Sequence, residues 1–216
     1  MPPTRHIPLL HAHERAGASL MEHHGWKVPA YFTWAQKEAE QMVRNAGLGD
    51  LSFMTKLDLK GWGLKTPPAA GAGQSWSLGP QHYLVTCEPP QRDEIAARLR
   101  SFPASHDLSL PPPLYITDVT SVYAQFLLAG PRSREILAKL TSLNVSTLEN
   151  LGCGQASLAH VPSIVLREDL RELPAFHVLV SREYGESVWD AILHAGHELG
   201  LAPFGQKALE FLGGAA

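Results

Sequence analysis

Only two cysteines, Cys87 and Cys153, occur in the 216 residues, which excludes a disulfide scaffold and leaves no paired spacing for a zinc site. A reducing, cytoplasmic setting suits such a chain. No run of about 18 apolar residues appears, and the opening MPPTRHIPLL has no signal-peptide stretch before His11 and Glu14, so no membrane association is expected. Charge of one sign is not concentrated either. The 18 Lys plus Arg and 21 Asp plus Glu give −3, with no basic stripe to track phosphates, which argues against nucleic acid as a partner. The P-loop, G-x-G-x-x-G and G-x-S-x-G patterns are missing, and with them those routes to nucleotide binding and to a serine nucleophile.

What remains is an ordinary globular composition, 44% hydrophobic and 18% charged, at a length that buries a core without staples. Leu9 to Leu20 has helical apolar spacing behind Pro8, and Trp26 to Phe32 reads as extended and irregular because of Pro29. Thr33 with Gln36 matches a capping box for a helix that Gly47 stops. Leu51 to Gly61 alternates apolar and polar residues, the mark of a strand with one solvated face. Residues 62 to 75 carry too many breakers for regular structure, His82 to Cys87 reads as a strand, and Asp93 to Leu99 as a helix behind Pro89 and Pro90. Pro111, Pro112 and Pro113 mark a linker. Beyond it come strands from Tyr115 and over Tyr123 to Leu128, and a helix to Leu140 with Pro131 at its first position. Two further strands, around Ser157 to Arg167 and Phe176 to Val180, lead to a helix over Glu183 to Leu199 whose Val188, Trp189, Ile192 and Leu199 form a core face. Such alternation with short links predicts α+β layers, not a parallel doubly wound sheet.

Eleven histidines raise the question of a metal. His11 and His13 with His23 and His24 form the densest group, but no carboxylate or cysteine stands at the spacing of a ligand motif, so surface or capping roles are expected and no metal. His194 and His197 share a helical spacing that a His-rich chain produces by chance. Cys153 lies between two glycines without a basic neighbour to lower its pKa, which suits a turn cysteine. Asp118, Glu168, Asp169 and Glu172 read as turn or cap carboxylates, with no second catalytic group visibly paired to any of them.

The N-terminal text PLLHAHERAGASLMEHHGWKVPAYF followed by NAGLGDLSFMTKLDLKG resembles the opening of the glycine cleavage system T protein family, the tetrahydrofolate-dependent aminomethyltransferases. Gly25, Trp26 and Pro29 match its Gly-Trp-x-x-Pro element; Gly47, Leu48, Asp50, Ser52 and Met54 match Gly-Leu-x-Asp-x-Ser-x-Met. The resemblance resumes at Asp118 and Thr120, at Ala129 to Ser133, and from Arg182 to Gly205. The second half is also similar to the gamma subunit of heterotetrameric sarcosine oxidase. The resemblance implies a ferredoxin-like layered core in two subdomains that cradles folate, without the family's C-terminal barrel. Residues 1–52 and 115–216 then form a discontinuous subdomain, and 53–114 an inserted, truncated one.

Departures from the pattern bear on activity. The resemblance places the family's catalytic aspartate in a segment for which only residues 62 to 75 stand here, and these contain no Asp or Glu. The Arg-Thr-Gly-Tyr-Thr-Gly-Glu run falls on Arg167 to Leu173, keeping the arginine and putting Leu173 at the acid position, with Glu172 one residue away. Leu209 and Cys87 replace an arginine and an asparagine. The resemblance implies Met54 as a wall under a pterin, Tyr83 and Val85 on the facing strand, and Arg167 and Glu172 as polar contacts. The expectation is an aminomethyltransferase-like fold with tetrahydrofolate as its cofactor class and transferase activity reduced or lost. The alternative is a non-catalytic, gamma-like subunit that completes a larger complex with a protein partner. A relocated acid, at Asp118 or Glu172, is a third option.

Overall fold

The computed structural model describes residues 4–61, 71, 73–100 and 114–214. Most of the breaker-rich stretch, 62–70 and 72, and the proline triplet at 111–113 lie outside the described residues. In chain order the elements are β1 (Arg5–His6), α1 (Leu10–Arg15), β2 (Ser19–His23), β3 (Trp26–Tyr31), α2 (Ala35–Arg44) and β4 (Ala46–Asp50), then β5 (Thr55–Gly61), β6 (Gln74–Gly79), β7 (His82–Cys87), α3 (Arg92–Arg100) and β8 (Leu114–Asp118). After these come β9 (Tyr123–Ala129), α4 (Ser133–Ala138), β10 (Cys153–Leu158), β11 (Val161–Arg167), β12 (Ala175–Ser181), α5 (Gly185–Gly196), β13 (Leu201–Phe204) and α6 (Gln206–Gly214). This is the α+β class that the sequence predicts.

The chain divides into two compact units, residues 1–53 with 123–216, and residues 54–122. In the first, a six-stranded sheet of order β10-β11-β12-β9-β4-β13 is antiparallel except where β13 joins β4, and a small sheet β1-β3-β2 stands apart from it. Period-2 alternation puts Leu48, Phe126, Leu128, Val165, Phe176, Val178 and Val180 on one sheet face, where they form a core with Val188, Trp189 and Ile192 of α5 and with Ile136 and Leu137 of α4. That is the core-packing role expected of α5. In the second unit, β6-β7-β5-β8 is wholly antiparallel, and Leu57, Leu59, Tyr83 and Val85 pack on Ile95, Ala96 and Leu99 of α3. Strand β8 pairs with β5 over Leu57↔Asp118 to Gly61↔Leu114, which puts 115–122 in the inserted unit and not in the discontinuous one.

Several boundaries differ from the sequence expectation, for local reasons. The first helix stops at Arg15 because Gly17, at φ +81°, turns the chain into β2. Trp26 to Tyr31, read as irregular, is a paired strand. The capping box at Thr33 and Gln36 does not form. Instead Glu38 is drawn inward, its Oε1 accepting the N–H groups of Phe32 and Thr33, each at 2.6 Å, while its Oε2 accepts that of Gly205 at 2.9 Å. A single carboxylate thus ties down the two residues that lead into α2 and pins the distant β13–α6 turn. Gly47 does not stop α2 but lies within β4, where Phe204 explains the glycines: a Cβ at Gly49 would lie 2.4 Å from its ring and one at Gly47 2.7 Å. Pro131 precedes α4, whose N-cap is Arg132. Elements β1, β2, β4, β6, β13 and α6 were not expected.

Candidate functional site

The signature segment Gly47 to Ser52 delivers a carboxylate to the interior of the first unit. Asp50, at the end of β4, is 5% exposed, and its partners His13 and Ser52 are 1% and 2% exposed. His13 Nε2 lies 2.9 Å from Asp50 Oδ2, while the Ser52 N–H, at 2.9 Å, and the Ser52 hydroxyl both donate to Oδ1. The imidazole packs edge-on to Trp189 at 4.8 Å and to Phe32 at 5.7 Å. In a nucleophilic triad the histidine stands between hydroxyl and carboxylate. Here the carboxylate is central and the serine oxygen is spent on it while also accepting the Gln125 N–H at 3.0 Å. The arrangement is a buried anchor, chemically unsuited to nucleophilic attack.

Ser52 leads to a second polar run. Gln125 on β9 is 1% exposed, and its amide Nε2 donates to His177 Nδ1 on β12 at 3.0 Å. His177 Nε2 in turn lies 3.6 Å from Glu168, which is partly exposed. Sequence reasoning missed Gln125, His177 and also Lys56, which is fully buried with its Nζ donating to the Met54 carbonyl at 2.7 Å. Alternation assigned Lys56 to a solvated face, yet both faces of β5 are buried at its N-terminal end. No local signal marks any of the three, because what buries them is remote in sequence.

The five residues implied by the resemblance divide between the units. Met54, half-buried, stands one residue before β5. Tyr83 and Val85 are 4% and 0% exposed within the α3-side core of the second unit, their side chains committed to packing. In the first unit Arg167 closes β11, with Nε and Nη2 donating to Asp169 at 3.0 and 2.6 Å and Nη1 to the Leu148 carbonyl at 2.6 Å. The hydrogen bonds that Arg167 donates to Asp169 push its pKa up. Burial pushes the Asp169 carboxyl upward, but hydrogen bonds from Arg167 and Ala175, with the charges of Arg167 and Arg134, outweigh it and hold it below the usual carboxylate range. Glu172 is exposed in the β11–β12 turn. Leu173, at the acid position, exchanges both backbone hydrogen bonds with Leu170 at 3.0 Å.

The remaining candidates resolve locally. His11 pairs with Glu14 at the surface at 3.0 Å while His13 points inward, because residues two apart on a helix face different ways. His23 and His24 have ring centroids 4.2 Å apart; burial and the His24 charge hold His23 below the usual histidine range. His194 and His197 are both exposed. Asp118 accepts the Thr120 N–H at 2.9 Å and pairs with Arg92 at 3.0 Å, a turn carboxylate as the sequence suggested. Burial pushes the Cys87 thiol up to about 11. No helix among the described residues is long and apolar enough to cross a membrane.

Comparison with known proteins sets this geometry in context. The family model described as the GCVT N-terminal domain matches residues 74–213. The aminomethyltransferase of Saccharopolyspora erythraea is 27% identical over 96% of this chain and 62% of its own length; that of Desulfitobacterium hafniense is 23% identical over 96% and 63%. The chain thus spans about three fifths of the length of these relatives. Among solved structures, glycine cleavage system aminomethyltransferase T from Bartonella henselae has a TM-score of 0.73 at 18% identity, over 97% of this chain and 62% of that one. A chain of heterotetrameric sarcosine oxidase from Corynebacterium sp. U-96, solved with pyrrole 2-carboxylate, has a TM-score of 0.60 at 17% identity, over 92% of this chain and 97% of that one. At these identities the two structures establish the fold.

Proposed function

Since this chain belongs to the GCVT N-terminal domain family, we propose that it is an aminomethyltransferase-like protein of the tetrahydrofolate-binding fold in which transferase activity is reduced or lost. The observation that carries this reading is the state of the β11–β12 turn. The guanidinium of Arg167 is engaged by Asp169 and the Leu148 carbonyl, and an apolar Leu173 stands where the resemblance puts an acid. With Tyr83 and Val85 packed in a core and Glu172 exposed, these residues do not fit a pterin: its polar edge finds no unengaged buried partner among them. No catalytic step through folate is therefore assigned.

The test is an aminomethyl-transfer assay with tetrahydrofolate, run beside the Saccharopolyspora relative. Loss of a positioned acid or base predicts kcat/KM lower by about 10² to 10⁴. Turnover within tenfold of the relative would overturn the proposal, and loss of that turnover in Asp118→Asn or Glu172→Gln would locate a relocated acid. A second reading, a non-catalytic subunit of a sarcosine oxidase type complex, is favoured by the 97% coverage of the Corynebacterium chain. Exposed Trp34, Leu151, Tyr184 and Phe211 are compatible with a partner surface. Affinity purification from the source cells decides it: stoichiometric larger partner chains support it, and a lone monomer in sizing refutes it.

A further inference from the structure

In the second unit's sheet, of order β6-β7-β5-β8, strand β8 is an edge, and among the described residues no strand lies beyond it. The ladder fixes which of its backbone groups face outward. The Val119 N–H donates to the Lys56 carbonyl, so Lys56, Asp58 and Lys60 of the β5 side turn their peptide groups toward Val119, Thr117 and Tyr115. The intervening Leu114, Ile116 and Asp118 aim their N–H and C=O groups away from the sheet, where among the described residues they have no backbone partner. Protein edges are commonly blunted by a lysine, a proline or a bulge. Leu114 to Thr117 carries neither charge nor proline, and its register against β5 runs without a bulge. The one charge on the strand, Asp118, is neutralised by Arg92 of α3 at 3.0 Å.

The side chains select which strand fits this edge. Alternation puts Leu114 and Ile116 on the α3 side, half-buried against its core, and Tyr115 and Thr117 on the opposite face, where Tyr115 is 64% exposed. An antiparallel copy of β8, related by a two-fold axis at Ile116, opposes Ile116 to Ile116 and Leu114 to Asp118 in hydrogen-bonded pairs, and Tyr115 to Thr117 in the closer, non-hydrogen-bonded ones. Ile116 then packs on its own copy on the α3 side, and each exposed Tyr115 ring meets a β-branched Thr117, a favourable cross-strand pair. A slip of one residue would set Tyr115 against Ile116, which point to different faces.

We propose that the outer edge of β8 is a homotypic interaction surface, at which two copies of this chain join their four-stranded sheets by antiparallel β8–β8 pairing about Ile116. The axis occupies both edges at once, so association stops at a dimer. A strand of five residues covers less than the roughly 1,200 Å² of a stable interface, so the dimer is reversible. None of the residues implied for a pterin lies on β8, so the proposal stands or falls apart from the proposed function.

Sedimentation equilibrium of the full chain should show a monomer–dimer equilibrium with Kd of about 1 mM or tighter. Ile116→Pro removes an outward N–H and leaves those of Tyr115 and Thr117, which β5 uses, so it should weaken the dimer by at least about tenfold. If that variant fails to fold, Tyr115→Asp, at an exposed position opposite Lys60, should weaken it similarly. Register is read by oxidative cross-linking in a Cys153→Ser background. Tyr115→Cys and Thr117→Cys chains, about 4.5 Å apart between Cα atoms in this pairing, should cross-link when mixed at least about tenfold more than either alone. A chain still monomeric at about 1 mM, an undiminished dimer in the folded edge variant, or no gain in cross-linking on mixing would overturn the proposal.

Discussion

Replacing Asp50 by alanine strips one buried carboxylate from three donors: the His13 ring N–H and the N–H and hydroxyl of Ser52. His13 can shift its proton to the other ring nitrogen and the Ser52 hydroxyl can rotate, but the Ser52 N–H is fixed by the backbone and loses the carboxylate it donates to. An orphaned buried donor costs about 1–3 kcal/mol, so the loss for Asp50→Ala should be about 3–5 kcal/mol, including the cavity left behind. Asp50→Asn keeps an oxygen for Ser52 and presents its NH₂ to a histidine that can accept at Nε2, for a loss of about 1–2 kcal/mol. At this chain length 1 kcal/mol corresponds to roughly 2–4 °C, so the alanine variant should melt about 6–20 °C lower. Urea melts followed by tryptophan fluorescence report on this unit through Trp189, which His13 touches. Equal losses for the alanine and asparagine variants, or losses under about 1 kcal/mol, would refute the view that this carboxylate anchors the unit.

Four further outcomes follow from the packing and the backbone. With its thiol at about 11 and 3% exposed, Cys87 is about one part in a thousand thiolate at pH 8, so a thiol reagent should label Cys153 first and Cys87 only on unfolding. Because that pKa lies above the ordinary 9.0, its contribution is complete below pH 9 and is lost as pH rises toward 11; denaturant melts of Cys87→Ala should lack this alkaline component. The β10–β11 turn places Ala159 and His160 both at positive φ, +48° and +68°, so Ala159→Asn with His160→Gly should raise stability by about 1–2 kcal/mol, and a melting point that falls would contradict the strain argument. Gly49→Ala should cost about 1–3 kcal/mol by forcing the Phe204 ring aside, and Phe204→Leu in the same chain should recover part of it if the clash is the cause.

Strands with strong alternation or continuous apolar runs, β7, β9 and β12, and the amphipathic α5 were legible in the sequence, because their burial is written in their own period. Strand β6 reads Gln-Ser-Trp-Ser-Leu-Gly and β13 Leu-Ala-Pro-Phe, compositions that signal turns; β6 is held by the adjacent β7 in a hairpin, and β13 owes its pairing to β4, far along the chain. The cap on α2 failed for the same reason: Glu38 holds the Phe32 and Thr33 N–H groups and that of Gly205 at once, across 167 residues, in place of the local Thr33 and Gln36 pair. The motif carrying Asp50 and Ser52 was visible, whereas its partner His13 was not, since 37 residues separate them. The family was legible from ordered motifs; which polar atoms stay available to a ligand is a matter of three-dimensional neighbours, as Arg167 and Asp169 illustrate.

The central claim is that this chain keeps the aminomethyltransferase fold while, of the polar and core contacts implied for a pterin, Arg167 is engaged by Asp169, Tyr83 and Val85 are packed in a core and Glu172 is exposed. Calorimetric titration of the purified protein with tetrahydrofolate and 5-formyl-tetrahydrofolate tests it most directly. The account predicts no binding tighter than about 0.1 mM and no rise in melting temperature at about ten times lower ligand concentration. Binding at about 1 μM or tighter, abolished by Arg167→Ala or Glu172→Gln, would contradict it and restore a working folate pocket.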